Sequence, residues 1–128
     1  MCLLNLNNLP NKLSSVSILA KDNNIDILAV TETWLLPSIS DASLTIKGFH
    51  SIARTDTLGN TYKHGVCFYV STAIPFVSIE CNCPNLHIIY IEILRCYLMV
   101  ICRPPFNTDI DTKKLIDCIS VLIRKLCF

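Results

Sequence analysis

Glu32 is the residue of this sequence best placed for chemistry, because it follows directly after a short apolar segment. Residues 25 to 30 are almost all apolar, include β-branched Ile and Val, and are too few for a typical helix, so they predict a strand buried on both faces. Ligand and metal sites of open α/β sheets gather at the carboxyl ends of strands. Glu32 is therefore a candidate metal ligand, although position alone favours a residue that marks where the strand reaches solvent.

The elements before this strand predict that Asn5 lies at the same edge as Glu32. Residues 2 to 6 are typical of a short strand, and Pro10 fits the first turn of a helix that continues to the polar residues 21 to 24. Strand, helix and strand within about 30 residues is the spacing of a right-handed βαβ unit, whose two strands are parallel. The carboxyl ends of both strands, and with them Asn5 and Glu32, should then meet.

The remainder of the chain predicts a series of antiparallel strands and a closing helix. A β-like segment at residues 44 to 46 precedes Gly48, and a polar connection containing Gly59-Asn60 separates two of the later strands. These strands are predicted at residues 49–53, 66–70, 76–79, 87–94 and 97–102, and Pro104-Pro105 ends the series. From Asp111 onward, one stripe of an amphipathic helix would carry Leu115, Ile119, Leu122, Ile123 and Leu126.

Composition and charge narrow the class of protein. The 128 residues suit a single domain, and 52% hydrophobic residues with a mean hydropathy of +0.48 is more apolar than a domain this small usually needs. The net charge of +1 excludes the broad basic field that drives non-specific binding to nucleic acid. No signal peptide or membrane-spanning segment is evident, so we expect an intracellular protein, nuclear or cytoplasmic, whose eight cysteines stay reduced.

Several other residues have both a chemical and a structural interpretation. Cys81 and Cys83, with His87 nearby, offer three zinc ligands, but no second pair stands at ligand spacing, which disfavours a metal site there. Trp34 could line a crevice, and the core interpretation is the safer prediction. Arg54 and Asp56 could form a loop salt bridge or face a phosphate, and we favour residues of a solvated loop. The histidines, at positions 50, 64 and 87, are interpreted as loop or strand residues rather than general bases.

Six ordered segments resemble the endonuclease/exonuclease/phosphatase superfamily, and most of all the endonuclease domain encoded by non-LTR (LINE-type) retrotransposons. The resemblance covers most of this chain but only about the first half of the family's domain. The matching segments are Asn5-Leu-Asn-Asn-Leu-Pro-Asn-Lys-Leu13, Ile25-Asp-Ile-Leu-Ala-Val-Thr-Glu-Thr-Trp-Leu35, Gly48-Phe49, Arg54-Thr-Asp56, His64-Gly-Val-Cys-Phe-Tyr-Val70 and Val100-Ile-Cys-Arg-Pro-Pro105.

The resemblance implies a fold, a cofactor and a set of site residues. The fold would be a partial two-sheet β-sandwich with flanking helices, like that of deoxyribonuclease I, formed by residues 1–128 as one truncated domain. Glu32 matches the family's metal-binding glutamate, and Asn5 matches the asparagine that orders the metal and phosphate environment. The implied cofactor is Mg²⁺, which favours hard oxygen ligands, and the implied partner is DNA.

The departures from the family pattern predict an incomplete catalyst. The family's phosphate-contacting tyrosine falls on Cys102, whose thiol is shorter and a poorer hydrogen-bond donor. The later Gly-Asp-Phe-Asn and Ser-Asp-His motifs are absent, and losing members of a catalytic constellation costs orders of magnitude in rate. Three functions stay open: a catalytically incomplete nuclease-family domain, a binding or structural module that pairs its exposed sheet with a partner, and, far behind, an esterase with Cys102 as nucleophile. The uncovered sheet also predicts self-association.

Overall fold

Two β-sheets and two helices make up the fold in a computed structural model that describes residues 1–56, 64–81, 87–102 and 109–127. The predicted Gly59-Asn60 connection, Cys83, Arg103 and Pro104-Pro105 lie outside the described residues. In chain order the elements are β1 (Cys2–Asn5), a 3₁₀ turn (Pro10–Lys12), α1 (Leu13–Asp22), β2 (Ile27–Thr31), a second 3₁₀ turn (Asp41–Leu44), β3 (Ala53–Thr55), β4 (Val66–Val70), β5 (Val77–Cys81), β6 (His87–Ile93), β7 (Cys96–Cys102) and α2 (Asp109–Cys127).

The first sheet is mixed and has the strand order β1-β2-β4-β3. Strands β1 and β2 are parallel, with Asn5 opposite Thr31, and α1 connects them, so the predicted βαβ unit is confirmed. Strand β4 pairs antiparallel with both β2 and β3, and Thr31 lies opposite Val66. This register brings the residue after β2 close to the residues before β4.

The second sheet is an antiparallel meander with the strand order β5-β6-β7. A two-residue turn, Leu94-Arg95, joins β6 to β7, because Ile93 pairs with Cys96. Both turn residues have positive φ, 49° and 66°, as in the type I′ turn that matches the right-handed twist of a hairpin. The predicted meander is therefore confirmed, with strand ends shifted by a residue or two.

Alternation along the strands divides the interior into two main apolar layers. In β2 and β4, Leu28, Val30, Cys67 and Tyr69 face α1, while Ala29 and Phe68 face the second sheet. The second sheet meets this inner face with Ile89, Ile91 and Ile93 of β6, as predicted for one side of that strand. Two sheets thus pack face to face, as in a β-sandwich.

Helix α2 contacts the outer face of the second sheet. Leu115 packs against Ile88, Met99 and Ile101, which confirms the predicted apolar stripe near the start of this helix. Ile123, predicted on the same stripe, is 53% exposed, so the buried part of the stripe does not reach Ile123. The side chains of Leu122 and Leu126 are not among the described ones.

Two local predictions are wrong. The β-like segment predicted at residues 44 to 46 is not a strand: Leu44 ends a 3₁₀ turn, and Leu44 and the following Ile46 are buried anchors. The strand predicted at residues 49 to 53 begins only at Ala53, and Phe49 forms an isolated bridge to Ser71. In both places apolar residues anchor a loop onto the core, a pattern that resembles strand alternation in sequence.

One flank of the sandwich is open. Strand β7 lies over β2, and β1 is the next strand outward in the first sheet. Leu3 of β1, on the inner side of that sheet, is 65% exposed. Strands β1 and β7 are the edges of their sheets on this flank, as far as the described residues extend. Within those same residues, no helix is long and apolar enough to cross a membrane.

Candidate metal centre

The carboxylate of Glu32 is the centre of a polar cluster at the end of β2. Its Oε2 accepts a hydrogen bond from Trp34 Nε1 at 3.0 Å. Its Oε1 lies 3.2 Å from His64 Nδ1 and 3.3 Å from Cys102 Sγ. Glu32 and Trp34 both have positive φ, 57° and 54°, and such backbone geometry in residues other than glycine is found preferentially at functional sites.

The segment before β4 carries His64 to this cluster. Because Thr31 pairs with Val66, the segment after β2 and the segment before β4 continue side by side past the strand ends. Thr33 N donates to Gly65 O at 3.3 Å, and Trp34 N donates to His64 O at 2.8 Å. Gly65 has a φ of 90°, and a Cβ placed on it would overlap Thr33 Oγ1. Glycine is therefore required at position 65 by both the backbone and the packing, and it fixes where His64 stands.

Cys102 enters the cluster from the other sheet. It ends β7, is 5% exposed, and its thiol donates to Glu32 Oε1. Burial, together with the neighbouring Glu32 carboxylate, raises the pKa of Cys102 to about 12. The thiol is therefore held in its neutral form, the opposite of what a nucleophilic cysteine needs.

The carboxylate is stabilised in its charged form. Partial burial alone would raise the pKa of Glu32, but the hydrogen bonds from Trp34, His64 and Cys102 together outweigh burial and lower it. His87 stacks on His64 with ring centroids 6.2 Å apart, and burial with that neighbouring ring lowers the pKa of His87. The cluster thus combines one anion with two imidazoles and one thiol.

The structure shows where the predicted site residues lie and corrects some of the predicted surroundings. Asn5 lies at the same edge as Glu32, as predicted, with its side chain exposed. The core interpretation of Trp34 is wrong, since its indole is only partly buried and contacts Glu32; the neighbouring Leu35 is the buried residue. His64 is a loop residue, as predicted, yet its contact with Glu32 was not predicted, because that contact depends on the β2–β4 register.

The salt bridge predicted for Arg54 and Asp56 is present, but not in a solvated loop. Arg54 Nε lies 3.2 Å from Asp41 and 3.4 Å from Asp56, and Arg54 Nη2 donates to Ile39 O at 2.6 Å. The side chains of Arg54 and Asp56 are only 13% and 9% accessible, so the solvated interpretation is wrong. This network anchors the loop after β2 to β3.

Three donor atoms of the cluster are arranged as metal ligands could be. Glu32, His64 and Cys102 each offer one such atom, and these atoms all lie within 4.8 Å of one another. Of the disfavoured zinc ligands Cys81, Cys83 and His87, Cys83 and the side chain of Cys81 lie outside the described part of the chain. The fold therefore assembles a potential divalent-metal centre at Glu32, from both sheets.

Comparison with solved structures identifies the class of fold as that of deoxyribonuclease I-like exonucleases and endonucleases. A 3′-5′ exonuclease from Neisseria meningitidis superposes with a TM-score of 0.57 at 22% identity, covering 77% of this chain and 38% of that one. A 3′ phosphatase from Neisseria bound to product DNA hairpin gives 0.57 at 21% identity, with the same coverage of both chains. An AP endonuclease from Archaeoglobus fulgidus gives 0.55 at 19% identity.

At identities of 19–22%, these similarities show the fold alone. The chain spans 38% of the length of each of the three structures. No family model and no curated protein matches the sequence.

Proposed function

We propose that this chain is the first part of an endonuclease/exonuclease/phosphatase domain derived from a retrotransposon DNA-nicking phosphodiesterase, and that it is catalytically incomplete on its own. The observation that carries the proposal is the position of Glu32: in this fold, it stands at the carboxyl end of β2, beside the end of the parallel strand that carries Asn5. The six ordered motifs support the LINE-type origin. The proposed unit is one truncated domain, residues 1–128.

Mg²⁺ is the ion that this ancestry implies, and the residues at the centre fit it poorly. Glu32 would supply a hard carboxylate oxygen, and Asn5 an amide oxygen from the adjacent strand end. The groups that contact Glu32 Oε1 are an imidazole nitrogen and a thiol sulfur, which are poor ligands for Mg²⁺. We therefore infer that Mg²⁺ binds weakly here.

DNA is the proposed ancestral ligand, and the nucleus or the cytoplasm is the proposed location. The relevant neighbours are DNA-processing enzymes by their names, one of them bound to a DNA hairpin. With a net charge of +1, this chain alone lacks the excess of cations that gives strong, salt-dependent attachment to the phosphate backbone. Weak DNA binding is the expected property of the isolated chain.

A plasmid-nicking assay tests the incompleteness of the catalyst. The full chain, Glu32→Gln and the matched control Glu92→Gln, a partly buried glutamate of β6, are incubated with supercoiled plasmid with and without Mg²⁺. We expect no nicking above buffer for any of them. Nicking that requires both Mg²⁺ and Glu32, and survives in Glu92→Gln, would overturn the proposal of incompleteness.

A chimera tests the proposed origin. The chain is fused to the remaining part of a LINE-type endonuclease domain, with Cys102→Tyr restoring the family residue, and the same plasmid assay is repeated. Nicking that returns and is lost again in Glu32→Gln supports the derivation. A folded chimera without activity, beside an active parent domain, would contradict it.

The open flank favours a second candidate function, a binding module that self-associates. Strands β1 and β7 are sheet edges there, and exposed edges pair readily with other strands. Leu3 is exposed on the inner side of β1, so association would bury it. Sedimentation of the wild type and Leu3→Lys tests this: a defined oligomer that Leu3→Lys dissociates supports the candidate, and a monomer at all concentrations removes it.

The third candidate, an esterase with Cys102 as nucleophile, is disfavoured by its surroundings. His64 does stand near the thiol, but both groups contact the same carboxylate oxygen of Glu32. That carboxylate opposes formation of a thiolate at Cys102. The imidazole therefore supports the carboxylate rather than activating a nucleophile.

A further inference from the structure

We propose that Glu32 Oε1, His64 Nδ1 and Cys102 Sγ bind a zinc-class divalent ion, in place of the Mg²⁺ that the fold's ancestry implies. Carboxylate oxygen, imidazole nitrogen and thiolate sulfur are the three protein ligand types of zinc, and three such ligands leave a fourth position for water. The inference concerns the donor chemistry of this chain and stands whether or not the proposed origin is correct.

The spacing of the donor atoms matches a tetrahedral ion. Zinc bonds of about 2.0–2.3 Å to oxygen, nitrogen and sulfur place ligand atoms about 3.3–3.6 Å apart at tetrahedral angles. The two contacts of Glu32 Oε1, 3.2 Å to His64 Nδ1 and 3.3 Å to Cys102 Sγ, are close to this edge length. The third edge, between nitrogen and sulfur, is no longer than 4.8 Å, so a movement of at most about 1.3 Å completes the tetrahedron.

The protein holds these ligands from three separate chain segments. Glu32 follows β2, His64 precedes β4, and Cys102 ends β7, which belongs to the other sheet. Trp34 Nε1 donates a hydrogen bond to Glu32 Oε2. This bond orients the carboxylate so that Oε1 points toward His64 Nδ1 and Cys102 Sγ. Metal ligands are commonly fixed by such outer hydrogen bonds, which raise affinity by limiting the rotations that binding must freeze.

The cluster is enclosed but remains accessible. The side chains of Glu32 and His64 are 19% and 20% exposed, while Cys102 is 5% exposed. An ion can therefore reach the carboxylate and imidazole from solvent, with the sulfur at the inner end. The site resembles an open catalytic or exchangeable zinc site more than a closed structural one.

Binding would replace two hydrogen bonds by metal bonds. The thiol proton of Cys102 leaves to solvent as the Zn–S bond forms, and the proton that His64 Nδ1 donates to Glu32 also leaves to solvent, so that Nδ1 takes the metal while the ring carries its N–H at Nε2. With one carboxylate and one thiolate against a divalent cation, the site becomes neutral. Both proton movements need only water as acceptor.

Cobalt(II) titration of the full chain is the decisive experiment, because a tetrahedral Co²⁺ site with sulfur absorbs strongly in the visible and shows a sulfur-to-metal charge-transfer band. We expect one ion per chain, displaced by Zn²⁺ but not by a large excess of Mg²⁺. His64→Gln and Cys102→Ser should each lower the affinity for cobalt at least about a hundredfold. Loss of a group that only hydrogen-bonds to a metal ligand already lowers affinity by up to about a hundredfold. Cys102→Ser should also abolish the charge-transfer band.

Matched variants make the outcome specific. His50→Gln and Cys96→Ser change the same residue types at places where the described contacts do not involve Glu32, and they should bind as the wild type does. The alternative zinc ligands Cys81 and Cys83 are tested by the double variant Cys81→Ser, Cys83→Ser. Far-ultraviolet circular dichroism confirms that each variant is folded.

Three results would overturn the inference. They are the absence of cobalt binding, displacement of cobalt by Mg²⁺, and binding that survives Cys102→Ser but is lost in the Cys81→Ser, Cys83→Ser variant. None of them bears on the plasmid-nicking result, so failure of the metal inference and failure of the proposed function are separately visible.

Discussion

Gly65→Ala should destabilise the protein far more than Gly48→Ala, although both glycines have nearly the same backbone conformation. Their φ angles are 90° and 89°. At either position alanine has to adopt the left-handed region, at a cost of about 1–2 kcal/mol. A Cβ on Gly48 meets no atom within 4 Å, whereas one on Gly65 overlaps the side chain of the buried Thr33.

The steric overlap with Thr33 adds to the backbone cost at Gly65 but not at Gly48. Forcing an extra methyl group into a packed interior costs about 1–3 kcal/mol, so Gly65→Ala should lose about 2–5 kcal/mol of unfolding free energy, against about 1–2 kcal/mol for Gly48→Ala. Urea unfolding followed by circular dichroism, and by the fluorescence of the single tryptophan, Trp34, measures both.

Second-site variants at Thr33 identify the atom responsible. Thr33→Ala removes Oγ1 and should recover about 1–3 kcal/mol in the Gly65→Ala background, a coupling that a double-mutant cycle measures directly. Thr33→Val keeps a group of the same size at that place and should recover nothing. Equal losses at the two glycines, or no recovery with Thr33→Ala, would refute the reasoning.

Two further predictions concern charge and turn geometry. Asp56→Asn should lower the unfolding free energy, measured in urea, by about 2–3 kcal/mol, because it leaves the 13%-accessible Arg54 without one of its anionic partners. Asp41→Asn changes a side chain that is 51% accessible and should cost less than about 1 kcal/mol. Equal losses for the two variants would contradict this account of burial. Arg95→Gly should stabilise the protein by about 0.5–1 kcal/mol, because glycine adopts a φ of 66° without strain. The gain is not larger because glycine also raises the conformational entropy of the unfolded chain. Arg95→Ala, which removes the same charge but keeps the strain, serves as the control and should give no gain.

Local pattern was enough to predict most of the strands and helices and the sheet edge that carries Glu32. The parallel β1–β2 pair follows from a strand, a helix start at Pro10 and a second apolar run within about 30 residues. The meander of β5, β6 and β7 follows from three β-rich segments in sequence order. In each case the information lies within a few tens of residues.

The composition of the site could not be predicted from the same signals. His64 reaches Glu32 because Thr31 pairs with Val66, a long-range register that no local pattern specifies. One signal was present in the sequence: His64-Gly65 stands directly before a five-residue apolar strand, a place from which a histidine can meet the end of a neighbouring strand. Cys102 was located through the motif resemblance, and its contact with Glu32 emerged only from the packing of the two sheets.

The two sheets should form at different rates. Every pairing in the β5-β6-β7 meander joins segments adjacent in the chain, while β2 must find β4 across residues 32 to 65. Contacts of low sequence separation form sooner, since less chain entropy is lost in closing them. We therefore expect the meander to appear first in refolding, with the apolar row Ile89, Ile91 and Ile93 in water until the mixed sheet docks onto it. During that interval the chain is most exposed to aggregation, so dilute, cold refolding should give the highest yield of native protein.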